Sequence, residues 1–336
     1  MNGKTIYLEF SRQRWRCRSC GHTFTEGRDL VRQYARMTKE AELEALWWLK
    51  DRNFSQVTKE LGVSYSTLRR LLDREIDGEL TMAVIAADKL FLGIDEHSFK
   101  HQELVFTVTE VRQRKMLGIL KDDCIATLRA FLSKIPREKV IEVCIDMKES
   151  LRKTSEVLFP KARVVADHFH VIADANKRMD EARRIEQDVW QKRKVVIPKK
   201  LFLLPAEKLD DERRQKLGKL LDHYPSLKGF YWAKEKLREM YREDSGKEAA
   251  MLLDSIIFGL RSDDDGELIK WGNMLKRWRE PILNYFDHRT TNGFTEGCHT
   301  KIKMLKRISY GLRNAEVYRK KMLLGFIPCR TRFHNF

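Results

Sequence analysis

The run Val140-Ile-Glu-Val-Cys-Ile-Asp-Met is the segment that most limits what this chain can fold into. A short, almost wholly apolar stretch reads as a strand buried on both faces, which requires packed layers above and below it. It ends in an acid, Asp146. An earlier apolar run, Lys-Leu-Phe-Leu-Gly-Ile-Asp, ends in another, Asp95. A sheet that contains both strands carries two carboxylates at strand ends.

The surrounding texture extends this sheet. KLFLGIDEHSF, LVFTVTEV and KMLGILK are three strand-like segments at hairpin spacing. ATLRAFLSKIP reads as a helix that Pro136 ends, SLRKTSEVLFP as a second helix, and ARVVADHFHVI as a further strand. Three antiparallel strands followed by helix, strand, helix, strand is the order of an α/β ribonuclease H-like core. In that order the first and fourth strands are neighbours, so Asp95 and Asp146 project from the same end. Carboxylates this close repel, and a hard divalent cation such as Mg²⁺ or Mn²⁺ relieves the repulsion. Two such ions roughly 3.5–4 Å apart suit an in-line displacement at phosphorus. Glu296, in the first turn of a basic C-terminal helix, can complete the cluster. A lone Asp at a strand end is commonly a turn or cap residue, so it is the three acids together that carry this reading.

Upstream, residues 39–74 have a helical pattern in which Leu43, Leu46, Trp47 and Leu49 form an apolar stripe. FSQVTKELGVSYSTLRRLLDRE then reads as helix, turn, helix, with Ser55 and Ser64 as caps and Gly62 at the turn. Val57, Leu61, Val63, Leu68 and Leu71 or Leu72 pack the pair together. Tyr65, Ser66, Thr67, Arg69 and Arg70 are left to face a DNA major groove. Ahead of these helices, Cys17-Arg-Ser-Cys20 has the spacing of a zinc knuckle, with His22 as a third candidate ligand and no fourth evident. It reads as a partial zinc ribbon.

Charge agrees with a nucleic-acid partner. Lys and Arg outnumber Asp and Glu by 66 to 49, a net charge of +17. No apolar run approaches the roughly 20 residues that span a bilayer. Six cysteines, mostly scattered, suit a reducing compartment, so the expected location is the cytoplasm, and no membrane is involved. From about 176 to 276 the chain is strongly helical, with Trp190, Tyr231, Trp232 and Trp271 spaced through it. The expected units are a ribbon segment (1–26), a helix-turn-helix domain (27–80), the α/β core (88–175), a helical insertion (176–285) and a C-terminal catalytic helix with its tail (286–336).

Taken together, GIDEHSF, the Asp-x-x-His of DHFHVI, and TNGFTEGCHTKIKMLKRISYGLRN, a basic helix with a Gly311 stop, resemble the bacterial insertion-sequence transposases of the ISL3 family. The resemblance covers essentially the whole chain. It implies a DDE transposase with a helical insertion between the second Asp and the Glu. The implied activity is metal-dependent cleavage and transfer of DNA strands at terminal inverted repeats, without a covalent protein intermediate. Carried onto this sequence, Asp95 is the first metal ligand and Glu296 the third. Strand geometry favours Asp146 as the second, with Asp167 as its competitor and Asp167 and His170 otherwise in a supporting role. Lys301, Lys303, Lys306 and Arg307 are expected along the DNA backbone. The implied partners are double-stranded transposon ends and target DNA, and a homo-oligomer, at least a dimer when DNA is bound. The family carries two Cys pairs where this chain has one, which implies an N-terminally shortened product with doubtful Zn²⁺ binding. The alternative is a catalytically inactive remnant that acts as a DNA-binding protein or repressor.

Overall fold

The computed structural model of the chain describes residues 13–25, 35–85, 88–100, 103–189, 196–310 and 314–327, with positions 9, 11, 31, 32 and 312. Trp190 and the expected stop at Gly311 lie outside the described residues.

The first element is a hairpin of β1 (Arg14–Arg16) and β2 (Thr23–Thr25), with Trp15 opposite Phe24. The knuckle makes its turn: Cys17 N donates to His22 O, Gly21 N donates to Cys17 O, and Gly21 takes φ +70°. Three helices follow, α1 (Lys39–Asp51), α2 (Phe54–Leu61) and α3 (Tyr65–Ile85). The cap of α2 is Asn53, not Ser55. Asn53 accepts from Gln56 N while the Gln56 side chain accepts from Asn53 N, a reciprocal box that Ser55, already inside the first turn, cannot form. Gly62 ends α2 at φ +64°, and Ser64 Oγ accepts from Thr67 N at 3.2 Å. The third helix continues to Ile85, past the end of the helix-turn-helix segment as read from the sequence.

The stripe on α1 is also shifted. Trp47 is 41% exposed, while Glu42 is buried beside Ala45, Leu46 and Leu49. Glu42 is tolerated there because Arg74 of α3 reaches it at 2.6 Å and Arg32 at 3.0 Å.

The sheet comprises β3 (Leu90–Lys100), β4 (Glu103–Glu110), β5 (Lys115–Ile119), β6 (Val140–Ile145) and β7 (Arg163–Ala166), in the order β5-β4-β3-β6-β7. The first three strands are antiparallel, and β6 and β7 add in parallel on the other side of β3. The crossovers are α4 (Ile125–Leu132) and α5 (Glu149–Leu158). DHFHVI is not strand. The chain leaves β7 at Ala166, and α6 (His168–Val189) begins almost at once, because His170 N and Val171 N turn back onto Asp167 O.

A helical body follows: α7 (Lys199–Leu203), α8 (Asp211–His223), α9 (Lys228–Met240), α10 (Gly246–Arg261), α11 (Gly266–Arg277), α12 (Arg279–Leu283) and α13 (Tyr285–His288). Its core around Trp271, Leu237 and Leu253 is continuous with that of the sheet, around Leu92 and Val143. The last helices are α14 (Gly293–Ile308) and α15 (Ala315–Leu324). They join the N-terminal helices to the sheet in a second core, in which Leu46, Leu49 and Leu72 meet Ile302, Leu305, Val317 and Met322. Buried Lys321 donates to the carbonyls of Leu49 and Lys50, satisfying the C-terminal end of α1. Among the described residues no helix is long and apolar enough to cross a membrane.

Candidate active site

Three strands deliver three acids side by side. Ile94 is opposite Ile145 in the β3–β6 ladder, and Ile145 is opposite Ala166 in the β6–β7 ladder. The next residue of each strand is therefore Asp95, Asp146 and Asp167. Asp146 and Asp167 stand just past the ends of β6 and β7, whereas Asp95 does not end its strand as expected: β3 runs on to Lys100, with Asp95 opposite Thr107 of β4, one residue beyond its ladder with β6. Asp167 N still donates to Ile145 O at 2.9 Å.

Glu296 arrives from α14, and polar pins fix that helix on the sheet. Asn292 Nδ2 donates to Ile94 O at 3.1 Å, and the Thr295 and Thr109 hydroxyls meet at 2.7 Å. The segment before the helix is held from β6, where the buried carboxylate of Glu142 contacts both His288 Nδ1 and Thr290 Oγ1. Gly93 makes the close approach possible. A Cβ there would stand 2.6 Å from Asn292 Oδ1 and 2.7 Å from Thr295 Oγ1. Gly93→Ala is therefore expected to lift α14 and cost about 1–3 kcal/mol of stability, the usual range for overpacking. Thermal unfolding checks it, and a melting temperature equal to wild type would contradict the pin.

The resulting cleft of about 490 Å³ is lined by Asp95, Asp146, His170, Glu296, His299 and Lys303, among others. Asp95 is almost wholly buried. Its carboxyl is pushed up to about 7, first by burial and then by the Asp146 charge. His170 Nε2 lies 2.8 Å from Asp146 Oδ1, close enough for an ion pair but misaligned for a hydrogen bond. The Asp146 carboxylate raises His170 to about 9. Alternation along β3 turns Glu96 away from Asp95, yet it stays at the rim of the cleft, paired with Lys148.

One histidine of the wall, His299, and a second behind it, His97, are not among the residues singled out from the sequence. His299 Nδ1 is 3.5 Å from Asp95 Oδ2, and its Nε2 is 2.6 Å from Thr107 Oγ1. Thr107 also donates to Asp95 O at 3.0 Å. His97 stacks near His299, with ring centroids 5.0 Å apart, and its Nε2 is 3.3 Å from the Tyr318 hydroxyl. Burial lowers both imidazoles to about 4, so near neutral pH they are uncharged supports. The available signal was periodicity: His97 is two residues beyond Asp95 on a strand, and His299 three beyond Glu296 on a helix.

The donors fit a hard cation. Asp95, Asp146 and His170 bring ligand atoms within 4.8 Å of one another, as do Asp167, His170 and Glu296. Asp146 Oδ1 and both Asp167 carboxylate oxygens have no hydrogen-bond partner among the described residues. Carboxylate-rich oxygen donors of this kind suit Mg²⁺ or Mn²⁺. Neither group includes Cys17 or Cys20.

Residues 92–322 match the transposase model of the ISL3 family, and residues 29–76 match the helix-turn-helix domain of transposase family ISL3. The chain belongs to the ISL3 transposase family. It is 24% identical over 334 residues to the transposase for insertion sequence element IS1001 of Bordetella parapertussis, a match spanning 96% of this chain and 81% of that protein. It is 25% identical over 277 residues to the transposase for element IS1557 of Mycobacterium tuberculosis, spanning 73% of this chain and 62% of that one. As a family member it is a DNA-binding enzyme that cuts and transfers DNA strands, and membership implies the use of divalent metal.

In this transposase Tyr65, Ser66, Arg69 and Arg70 are exposed on the first turns of α3, with Thr67 half-buried beside them. Tyr65 packs against Phe54, with ring centroids 4.9 Å apart. The basic side chains of α14 divide into two sets. Lys301 donates to Gly325 O at 2.7 Å and Lys306 to Phe99 O, so both ammonium groups are turned onto the protein. Lys303 lines the cleft, and Arg307 is exposed.

Proposed function

We propose that this ISL3 transposase binds the terminal inverted repeats of its insertion sequence and cleaves and rejoins DNA strands through Asp95, Asp146 and Glu296. The observation that carries this reading is the convergence of the three acids from β3, β6 and α14 on one cleft. The strand order, three antiparallel strands with two parallel additions beside the first, supports a ribonuclease H-like core with the helical body inserted before Glu296.

A divalent cation, Mg²⁺ or Mn²⁺ and two ions in the full reaction, supplies Lewis acidity at the scissile phosphate when bound. The residues of the chain do the rest. Asp95 and Asp146 hold adjacent oxygens on rigid strands, and Glu296 closes the third side from a helix pinned over Gly93. Lys303 faces the same cleft and pairs with a phosphate of the bound strand. Tyr65, Ser66, Thr67, Arg69 and Arg70 read the repeat from α3, and Arg307 tracks its backbone. Two copies of the chain bring two element ends together. The reaction takes place on the cell's own DNA, in the cytoplasm. Cys17 and Cys20 offer two thiolates to Zn²⁺, half of a structural site. All three acids reach the cleft, and nothing in it favours an inactive remnant.

The test is cleavage of a duplex that carries the element's end, in Mg²⁺ or Mn²⁺. Wild type cuts at the element boundary, whereas Asp95→Ala and Glu296→Ala bind the duplex without cutting it. Undiminished cleavage by either variant would remove that residue from the reaction.

A further inference from the structure

We propose that Asp167, His170 and Glu296 form a seat for a divalent cation distinct from the one framed by Asp95 and Asp146, so that four carboxylates serve the reaction. The inference rests on the metal-dependent reading above and goes beyond its three acids.

Asp167 occupies a position where Asp ordinarily caps a helix. Such a side chain accepts from the backbone N–H two or three residues ahead. Here His170 N and Val171 N both go to the Asp167 main-chain carbonyl, and neither carboxylate oxygen has any hydrogen-bond partner among the described residues. The side chain is fully buried. A charged carboxylate withdrawn from water without partners costs several kcal/mol or more. The nearest basic groups are His168 Nδ1 at 3.6 Å and His170 Nε2 at 3.8 Å, both beyond hydrogen-bonding distance. His168 is held by packing, its ring lying among Phe169, Tyr241 and Tyr285. The unspent acceptor capacity of Asp167 therefore points toward His170 and Glu296, whose ligand atoms lie within 4.8 Å of its own and of each other.

The donor chemistry separates the two seats. A single imidazole nitrogen ligates one ion. Assigning His170 Nε2 to the Asp167 side leaves Asp95 and Asp146 as an all-oxygen seat, which suits Mg²⁺. Two carboxylates and an imidazole suit Mn²⁺ better, because nitrogen donors favour transition ions over magnesium. In the arrangement described here His170 lies nearer Asp146, at 2.8 Å. Ligation on the Asp167 side would use the same Nε2 from the first turn of α6, which Asp167 directly precedes.

Mn²⁺ titration of the full chain, followed by electron paramagnetic resonance of free and bound ion, tests this without any turnover. Wild type is expected to bind two ions per chain, with nitrogen coupling from His170 in the spin-echo spectrum of one. Asp167→Asn is expected to bind one ion and to lose the coupling. Glu296→Gln, on the other side of the seat, is expected to weaken the same ion at least tenfold. It gives an independent reading should Asp167→Asn fold poorly by circular dichroism. His170→Gln removes the coupling. Two ions and intact nitrogen coupling in Asp167→Asn, or unchanged Mn²⁺ affinity in Glu296→Gln, would overturn the second seat. If Asp95→Asn still abolishes cleavage in that case, the three-acid reading survives. If Asp95→Asn cleaves normally and wild type binds no ion, both fail together.

Discussion

Asp146→Asn is expected to lower strand cleavage on the order of 10³-fold, the scale seen when a preorganised electrostatic group is removed from a reacting centre. Its affinity for the element's end is expected to stay within about twofold, since the side chains proposed to read DNA sit on a separate helix. Asn keeps the volume and one acceptor oxygen, so the substitution removes charge and little else. The residue matters because of where β6 ends. The ladder sets Asp146 beside Asp95 on one side and Asp167 on the other, and its Oδ1 faces His170 at 2.8 Å. Without its charge the imidazolium of His170 loses its principal anion. Gel-shift and cleavage assays on the same duplex separate the two effects. Cleavage within tenfold of wild type would move the second catalytic acid to Asp167.

The strand ends were legible because they rest on local rules. An apolar run buried on both faces has to lie inside a sheet, and the residue that follows it has to emerge at an edge. This places Asp146 just past β6, whereas β3 runs on beyond Asp95 to Lys100 because β4 pairs with it there; Asp95 comes beside Asp146 because the β3–β6 ladder ends one residue before each. Glu296 was legible through the long motif around it. Asp167 was misread as lying within a strand because ARVVADHFHVI is continuous in hydrophobicity. The switch to helix at His168 depends on main-chain hydrogen bonds to Asp167 O, which leave no mark in composition. The stripe on α1 holds at Leu46 and Leu49 but is shifted off Trp47 and onto Glu42, for a different reason. Glu42 is buried by partners more distant in sequence, Arg32 and Arg74, and no local pattern reports them. For the same reason α15 and the buried Lys321 were not anticipated. Their role is to join α1 to the sheet, a tertiary relation between residues some 270 positions apart. His299 was within reach, since its spacing from Glu296 puts both on one helix face, but only the fold brings Asp95 against it.

Without metal, the site is expected to lose stability as pH rises, and added Mg²⁺ or Mn²⁺ should restore it increasingly at higher pH. Both titrations act in the same direction. Asp95 has an ordinary value near 3.8 and is raised to about 7, so its protonated form is favoured by folding. That contribution is complete below about 4 and lost as pH passes 7, a change of at most about 4 kcal/mol. His170, raised from 6.5 to about 9, stabilises the fold as a cation below 6.5 and loses that effect as pH approaches 9. Metal ligation needs the deprotonated form of each, so protons compete with the ion and its affinity climbs across the same window. At a hundredfold excess over its dissociation constant a ligand adds about 2.7 kcal/mol, which for a chain of this size is a shift of about 4 °C. Scanning calorimetry at pH 5.5 and pH 8, with and without Mn²⁺, should show almost no shift at the lower pH and a clearly larger one at the higher, where Asp95 is deprotonated and His170 partly so. Asp95→Asn should flatten the metal-free profile between pH 4 and 7, because the group whose proton is linked to folding is gone. Equal metal shifts at both pH values would mean that the buried carboxylate does not hold the ion.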